Sequence, residues 1–182
     1  MSREQQAFRS KRPRLPLDPA TFRALAVHYV GRYATTQARL KHYLERKLRE
    51  RGWDDSLPCP DLLEMVSEFA RLGYVDDDLF ASARVTSLLK RGYGENRLKI
   101  ALRHAGISAE KAATASCIDT DSAFQAAMTF ARRKRLGPFG PSLDEARARN
   151  RAVAAFVRAG HSYKIVRKIL EIDSPDGNFA DN

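Results

Sequence analysis

Three helix starts recur along this chain in one register, and that recurrence restricts the fold more than any other feature. Thr36, Gly94 and Ser162 each stand at a turn, 58 and 68 residues apart. Four and eight positions after them come Leu40 and Leu44, Leu98 and Leu102, and Val166 and Leu170. Residues four apart lie one above the other on a helix, so each set marks one apolar stripe. Ahead of the turns, Val85, Leu88 and Leu89 precede Gly94 by nine, six and five positions, and Val153, Phe156 and Val157 precede Ser162 by the same distances. Ala26, Tyr29 and Val30 fill these places in the first unit if its turn is one residue longer. Each unit therefore reads as an apolar helix, a tight turn and a second helix.

A leading helix precedes the pair in two units. Leu62, Leu63, Val66, Phe69 and Ala70 form one such face, closed by Gly73, and Phe124, Ala127, Met128 and Ala131 form another. In the first unit a proline-rich segment holds that place, so its leading helix is short or absent. The loop RLGPFGPS in the third unit is longer and stiffened by Pro138 and Pro141. No alternating strand pattern appears. Units of this size bury little alone but share a continuous core when stacked. The expected fold is all-α, with tandem three-helix repeats forming an elongated, curved array. The expected limits are a basic flexible tail at 1–19, a truncated first repeat at 20–57, a second at 58–116, a third at 117–172 and a flexible C-terminal tail at 173–182.

Charge then narrows the kind of partner. A net charge of +10 points to an acidic one: nucleic acid, a nucleoprotein or an acidic protein face. The second helix of each unit carries a cation five residues after its start, at Lys41, Lys99 and Arg167. Three residues after the start stand Arg39 and Arg97, with Ile165 in the last unit, and Arg103, Lys164 and Lys168 widen the same side. The fifth position lies about 100° around the helix from the fourth, beside the core stripe. One such cation is an ordinary solvated residue, whereas a cation in register across three units reads as a binding face for phosphates or carboxylates. Arg132, Arg133, Lys134 and Arg135 are the densest run. They complement a helix C-terminus or contact a phosphate or filament, and sequence leaves both open.

Other features read as structural. Asp76, Asp77 and Asp78 precede a helical pattern, where Asp accepts orphan backbone N–H bonds and suits the helix dipole. Metal binding would need converging ligands, and no D-x-D-x-D-G pattern or His/Cys cluster supplies them. Gly92 and Gly160 are expected to take positive φ after helix ends, in a spacing that fits no phosphate-loop motif. Tyr33, Tyr93 and Tyr163 read as packing over turns, with base stacking as the rival, and Trp53 as a packing cap. Four scattered histidines and the absence of GxSxG or HExxH argue against an enzyme, and no cofactor is expected. Cys59 and Cys117 stand apart as reduced thiols, and no apolar run suits a membrane span or a signal peptide. The expectation is a monomeric cytoplasmic protein.

The stretches LGYVDDDLFA, LLKRGYGENRLKIALRHAGI and FVRAGHSYKIVRKIL together resemble the RecX family of bacterial recombination regulators. The likeness runs from about Leu25 to Leu170 and is most specific in the middle unit. In the third unit His161 replaces the usual aromatic after glycine, and the proline loop is longer than the common pattern. The resemblance implies tandem three-helix repeats. It implies as partner the RecA recombinase and its filament on single-stranded DNA, bound along the groove, with inhibition of ATP hydrolysis and strand exchange. The rival is direct DNA binding by helix-turn-helix-like pairs, with a weak DNA contact also possible beside RecA. Of the base-reading side chains near helix starts, however, only Gln37 and Asn96 qualify.

Overall fold

The computed structural model describes residues 15–141 and 146–171. The basic stretch through residue 14 and the tail at 173–182 lie outside the described residues. Within them the chain is all-α, and the only β feature there is an isolated bridge between Leu17 and Trp53. The helices are α1 (Pro19–Arg32), α2 (Gln37–Arg51), α3 (Leu62–Arg71), α4 (Asp77–Lys90), α5 (Glu95–His104), α6 (Ala109–Ser116), α7 (Thr120–Lys134), α8 (Ala146–Arg158) and α9 (Tyr163–Leu170). A 3-10 turn at Gly137–Phe139 occupies the proline loop. Among the described residues no helix is long and apolar enough to cross a membrane.

The chain divides into two compact units, Met1–Val75 and Asp76–Asn182. The first is built by α1, α2 and α3 around Phe22, Ala26, Leu40, Leu44, Val66 and Phe69. Its entry is firmly held. Leu17 is fully buried, its N–H donates to the Gly52 carbonyl at 2.9 Å, and its own carbonyl accepts from the Asp54 N–H at 3.0 Å. Arg51 donates to the Leu15 carbonyl through Nε and Nη2. The indole of Trp53 meets Phe22 edge-on and donates to the Leu57 carbonyl. The end of the segment 1–19 is thus docked, because both backbone groups of Leu17 are paired and its side chain enters the core. Arg23 grips Glu68 with two bonds of 2.6 and 2.7 Å, tying α1 to α3.

The second unit has two cores. One gathers Ala81, Val85, Leu88, Leu98, Leu102 and Ile107 from α4, α5 and the turn before α6. The other gathers Ala127, Phe130, Ala131, Phe156, Val166 and Ile169 from α7, α8 and α9. Half-buried Tyr93 packs against both. Thr36, Gly94 and Ser162 are the N-caps of α2, α5 and α9, as the repeated register requires. The stripe after each start is buried except for half-buried Leu170. Leu63 and Val157 are 64% and 51% exposed, because each stands beside its stripe and not in it.

The aspartates start a helix. One oxygen of Asp76 accepts the N–H groups of Asp78 and Leu79 at 2.9 and 2.8 Å. Asp78 receives the Lys111 ammonium at 2.9 and 3.0 Å, joining α4 to α6 and raising the lysine pKa. Asp76→Ala should therefore destabilise the chain by ~1 kcal/mol in urea unfolding, while Asp76→Asn should leave it within a few tenths. Equal losses in both variants would rule out the capping account.

Candidate partner and nucleic-acid interface

The cations expected on a binding face fall into distinct environments. Lys41, Lys99 and Arg167, which recur in register, each meet a carboxylate four residues away, on the same helix for the two lysines and at the C-cap of α9 for Arg167. Lys41 lies 3.8 Å from Glu45, Lys99 2.6 Å from Glu95 and Arg167 3.1 Å from Glu171. These pairs are partly to largely solvent-exposed, so each contributes only about 0.3–0.5 kcal/mol and is readily exchanged for an incoming charge. Lys164 and Lys168 line a groove with Glu95 and Asp121, so their surroundings are of mixed sign. Arg103 is exposed in the last turn of α5. Arg132 stacks over Phe139 at 5.0 Å, and Arg135 takes the left-handed conformation that ends α7.

Arg97, Arg133 and Lys134 come together. With Tyr93, Phe130 and Arg158 they line a cup of about 630 Å³ formed by the α4–α5 turn, the end of α7 and the end of α8. Sequence reasoning passed over Arg158. The signal was present, since Arg32, Lys90 and Arg158 all stand four residues before a helix start. Arg133 is the most firmly held member. It donates to the Arg91 carbonyl at 2.7 Å and lies over the rings of Tyr93 and Phe130 at 5.5 and 5.6 Å. Arg91 also lies over Tyr93, at 5.5 Å. The ring thus serves to orient guanidiniums.

The first unit has a related surface. Tyr29 and Tyr43 stack at 4.1 Å, Arg46 and Lys47 approach the Tyr43 ring, and Arg39, His42 and Arg49 complete the rim. Arg39 and Arg97 hold the same place relative to their helix starts, and each lines a cationic, aromatic depression in its own unit.

The floor beside the second cup is a backbone seam. The Gly94 N–H donates to the Ala159 carbonyl at 2.9 Å, and the Asn96 N–H donates to the Gly160 carbonyl at 3.2 Å. Helix α5 lacks a side-chain cap, so the α8–α9 turn at Ala159 and Gly160 satisfies N–H groups at its start. Nε2 of buried His161 donates to the Gly92 carbonyl at 3.1 Å, with its ring 5.7 Å from both Phe130 and Phe156. Burial lowers the His161 pKa, opposed in part by that carbonyl.

No protein-family model matches the sequence. The chain is 32% identical over 169 residues to the Regulatory protein RecX of Myxococcus xanthus, covering 88% of this chain and 89% of that one. The chain belongs to the RecX family. Within the family it is also 26% identical over 156 residues to the Regulatory protein RecX of Agrobacterium fabrum, covering 83% and 82% of the two chains. The crystal structure of RecX from Lactobacillus salivarius shares the fold, with a TM-score of 0.63, 20% identity and coverage of 83% of this chain and 93% of that one.

Proposed function

We propose that this RecX-family chain is a non-catalytic regulator that binds RecA and its filament on single-stranded DNA and inhibits ATP hydrolysis and strand exchange. The observation that carries the reading is the relationship to proteins named regulatory over nearly the whole length of both chains. The cationic surfaces agree with it, since a filament offers both carboxylates and phosphates. The lightly paired Lys41, Lys99 and Arg167 are suited to exchanging a neighbouring carboxylate for one on a partner.

The decisive experiment measures RecA ATPase on single-stranded DNA with and without this protein. Inhibition is expected. Substituting Lys41, Lys99 and Arg167 together by Gln should weaken inhibition several-fold at unchanged helicity, because each lost surface pair contributes only about 0.3–0.5 kcal/mol. An unaffected ATPase with the wild-type chain would end the reading. Full inhibition by the triple variant would move the binding face elsewhere. Comparable binding to bare and RecA-coated strands would favour the direct DNA-binding rival.

A further inference from the structure

The geometry points to a phosphate-binding site in the cup between the α4–α5 turn and the ends of α7 and α8, with the sugar–phosphate backbone of a single-stranded nucleic acid as its ligand. Arg97, Arg133, Lys134 and Arg158 converge there, and no carboxylate lines the cup among the described residues. Within those residues the side chains of Arg97, Lys134 and Arg158 meet no ion-pair or hydrogen-bond partner.

Helix ends explain only part of this arrangement. Lys134 and Arg158 stand in the last turns of α7 and α8, where a cation complements the helix dipole. Arg97 is the third residue of α5, in the first turn, where the dipole disfavours a cation. Its presence beside three other positive groups therefore opposes local stability, and an anionic ligand relieves both costs. Arg133 supplies a fixed donor fork, because its carbonyl contact and two aromatic neighbours order the side chain before any ligand arrives. A preordered guanidinium loses little freedom on binding and matches phosphate geometry.

The cup selects phosphate over base. Tyr93 already carries the guanidiniums of Arg91 and Arg133 over its ring, so it is engaged in holding cations and not in stacking a nucleobase. Recognition is accordingly independent of sequence. At about 630 Å³ the space is wider than one phosphate group, which suits a run of backbone over a single ion. The choice of a nucleic-acid strand over other polyanions rests on the regulatory reading above; the convergence of cations does not.

The test uses the full chain without RecA, so its failure is distinguishable from failure of that reading. Binding of a labelled oligothymidylate is followed by fluorescence anisotropy across a salt series. Arg97→Gln with Arg158→Gln, both at exposed positions, should weaken binding at low salt by roughly tenfold or more. It should also reduce the log–log salt slope by ~1.4, from two contacts of ~0.7 each. Arg147→Gln with Arg151→Gln removes the same charge from exposed positions of α8 outside the cup and should change the slope by less than half as much. Circular dichroism should be the same for all three proteins. The proposal is overturned if the wild-type chain does not bind the strand at low salt, or if the two double variants lose affinity equally. It is also overturned if polyglutamate competes as well as the oligonucleotide at matched charge. Displacement of the strand by ATP or pyrophosphate at equal phosphate concentration would likewise overturn it, by assigning the cup to a free polyphosphate.

Discussion

Gly94→Ala should destabilise the Asp76–Asn182 unit by ~3–5 kcal/mol, although it adds a single methyl group. A Cβ at Gly94 would stand 2.4 Å from the Gly160 carbonyl oxygen and 2.6 Å from the His161 nitrogen. Those are backbone atoms, so no side chain can swing aside. Overpacking of this kind costs about 1–3 kcal/mol. The shift it forces would also break the bonds from Gly94 to Ala159 and from Asn96 to Gly160, each contributing about 1 kcal/mol. Gly160→Ala should behave similarly. Its Cβ would meet the Arg97 nitrogen at 2.4 Å, and its φ of +94° disfavours any side chain. Gly31 supplies the contrast. It is the next-to-last residue of α1 with nothing within 4 Å of its missing Cβ, so Gly31→Ala should stabilise by up to about 0.5 kcal/mol. Urea unfolding followed by circular dichroism separates these outcomes. A Gly94→Ala midpoint matching that of Gly31→Ala would show that the seam does not contribute.

That seam marks the boundary between what was legible in the residues and what was not. The register of Thr36, Gly94 and Ser162 could be read because each is followed by apolar residues at one helical spacing, and burial of a stripe is a local consequence of periodicity. Asp76 could be read because a cap acts within three residues. Gly94 was legible as a helix start, but its second role depends on a backbone 66 residues away. No periodicity encodes such an approach. The same holds for α3. Its apolar face was plain, yet Val66 and Phe69 join Leu40 and Leu44 in the first core, and a helix face does not name its partner. Helix α6 went unread as a separate element because its face is mostly alanine, although Ser108 caps it by accepting the Lys111 N–H. For the candidate site, the run ending α7 and Arg97 were both visible. Their convergence with Arg158 was not, because it is produced by the seam of Gly160 against Gly94 and by the packing of α7 on the turn at Gly92. There a Cβ would lie 2.7 Å from the Phe130 nitrogen.

Acid should loosen the same seam through His161. Nε2 must carry the hydrogen, because its partner is the Gly92 carbonyl, and this leaves Nδ1 as a buried bare nitrogen with no hydrogen-bond partner among the described residues. Protonation would create a buried cation and an unsatisfied N–H between Phe130 and Phe156. The folded-state pKa is lowered by burial, so the unfolded chain binds the proton first as pH falls. Stability from this group is therefore complete above the ordinary histidine value of about 6.5 and declines below it, with a limiting slope of ~1.4 kcal/mol per pH unit. For a chain of this size that corresponds to roughly 3–5 °C in Tm per pH unit. Melting between about pH 7.5 and about pH 5 should show this decline in the wild-type chain. His161→Gln keeps a donor for Gly92 and His161→Phe keeps the ring packing, and neither titrates, so the decline should be much reduced in both. His28, His42 and His104 are exposed and remain in every variant. If the wild-type slope persists in both variants, other groups carry it, and the His161 link between the two turns is insensitive to acid.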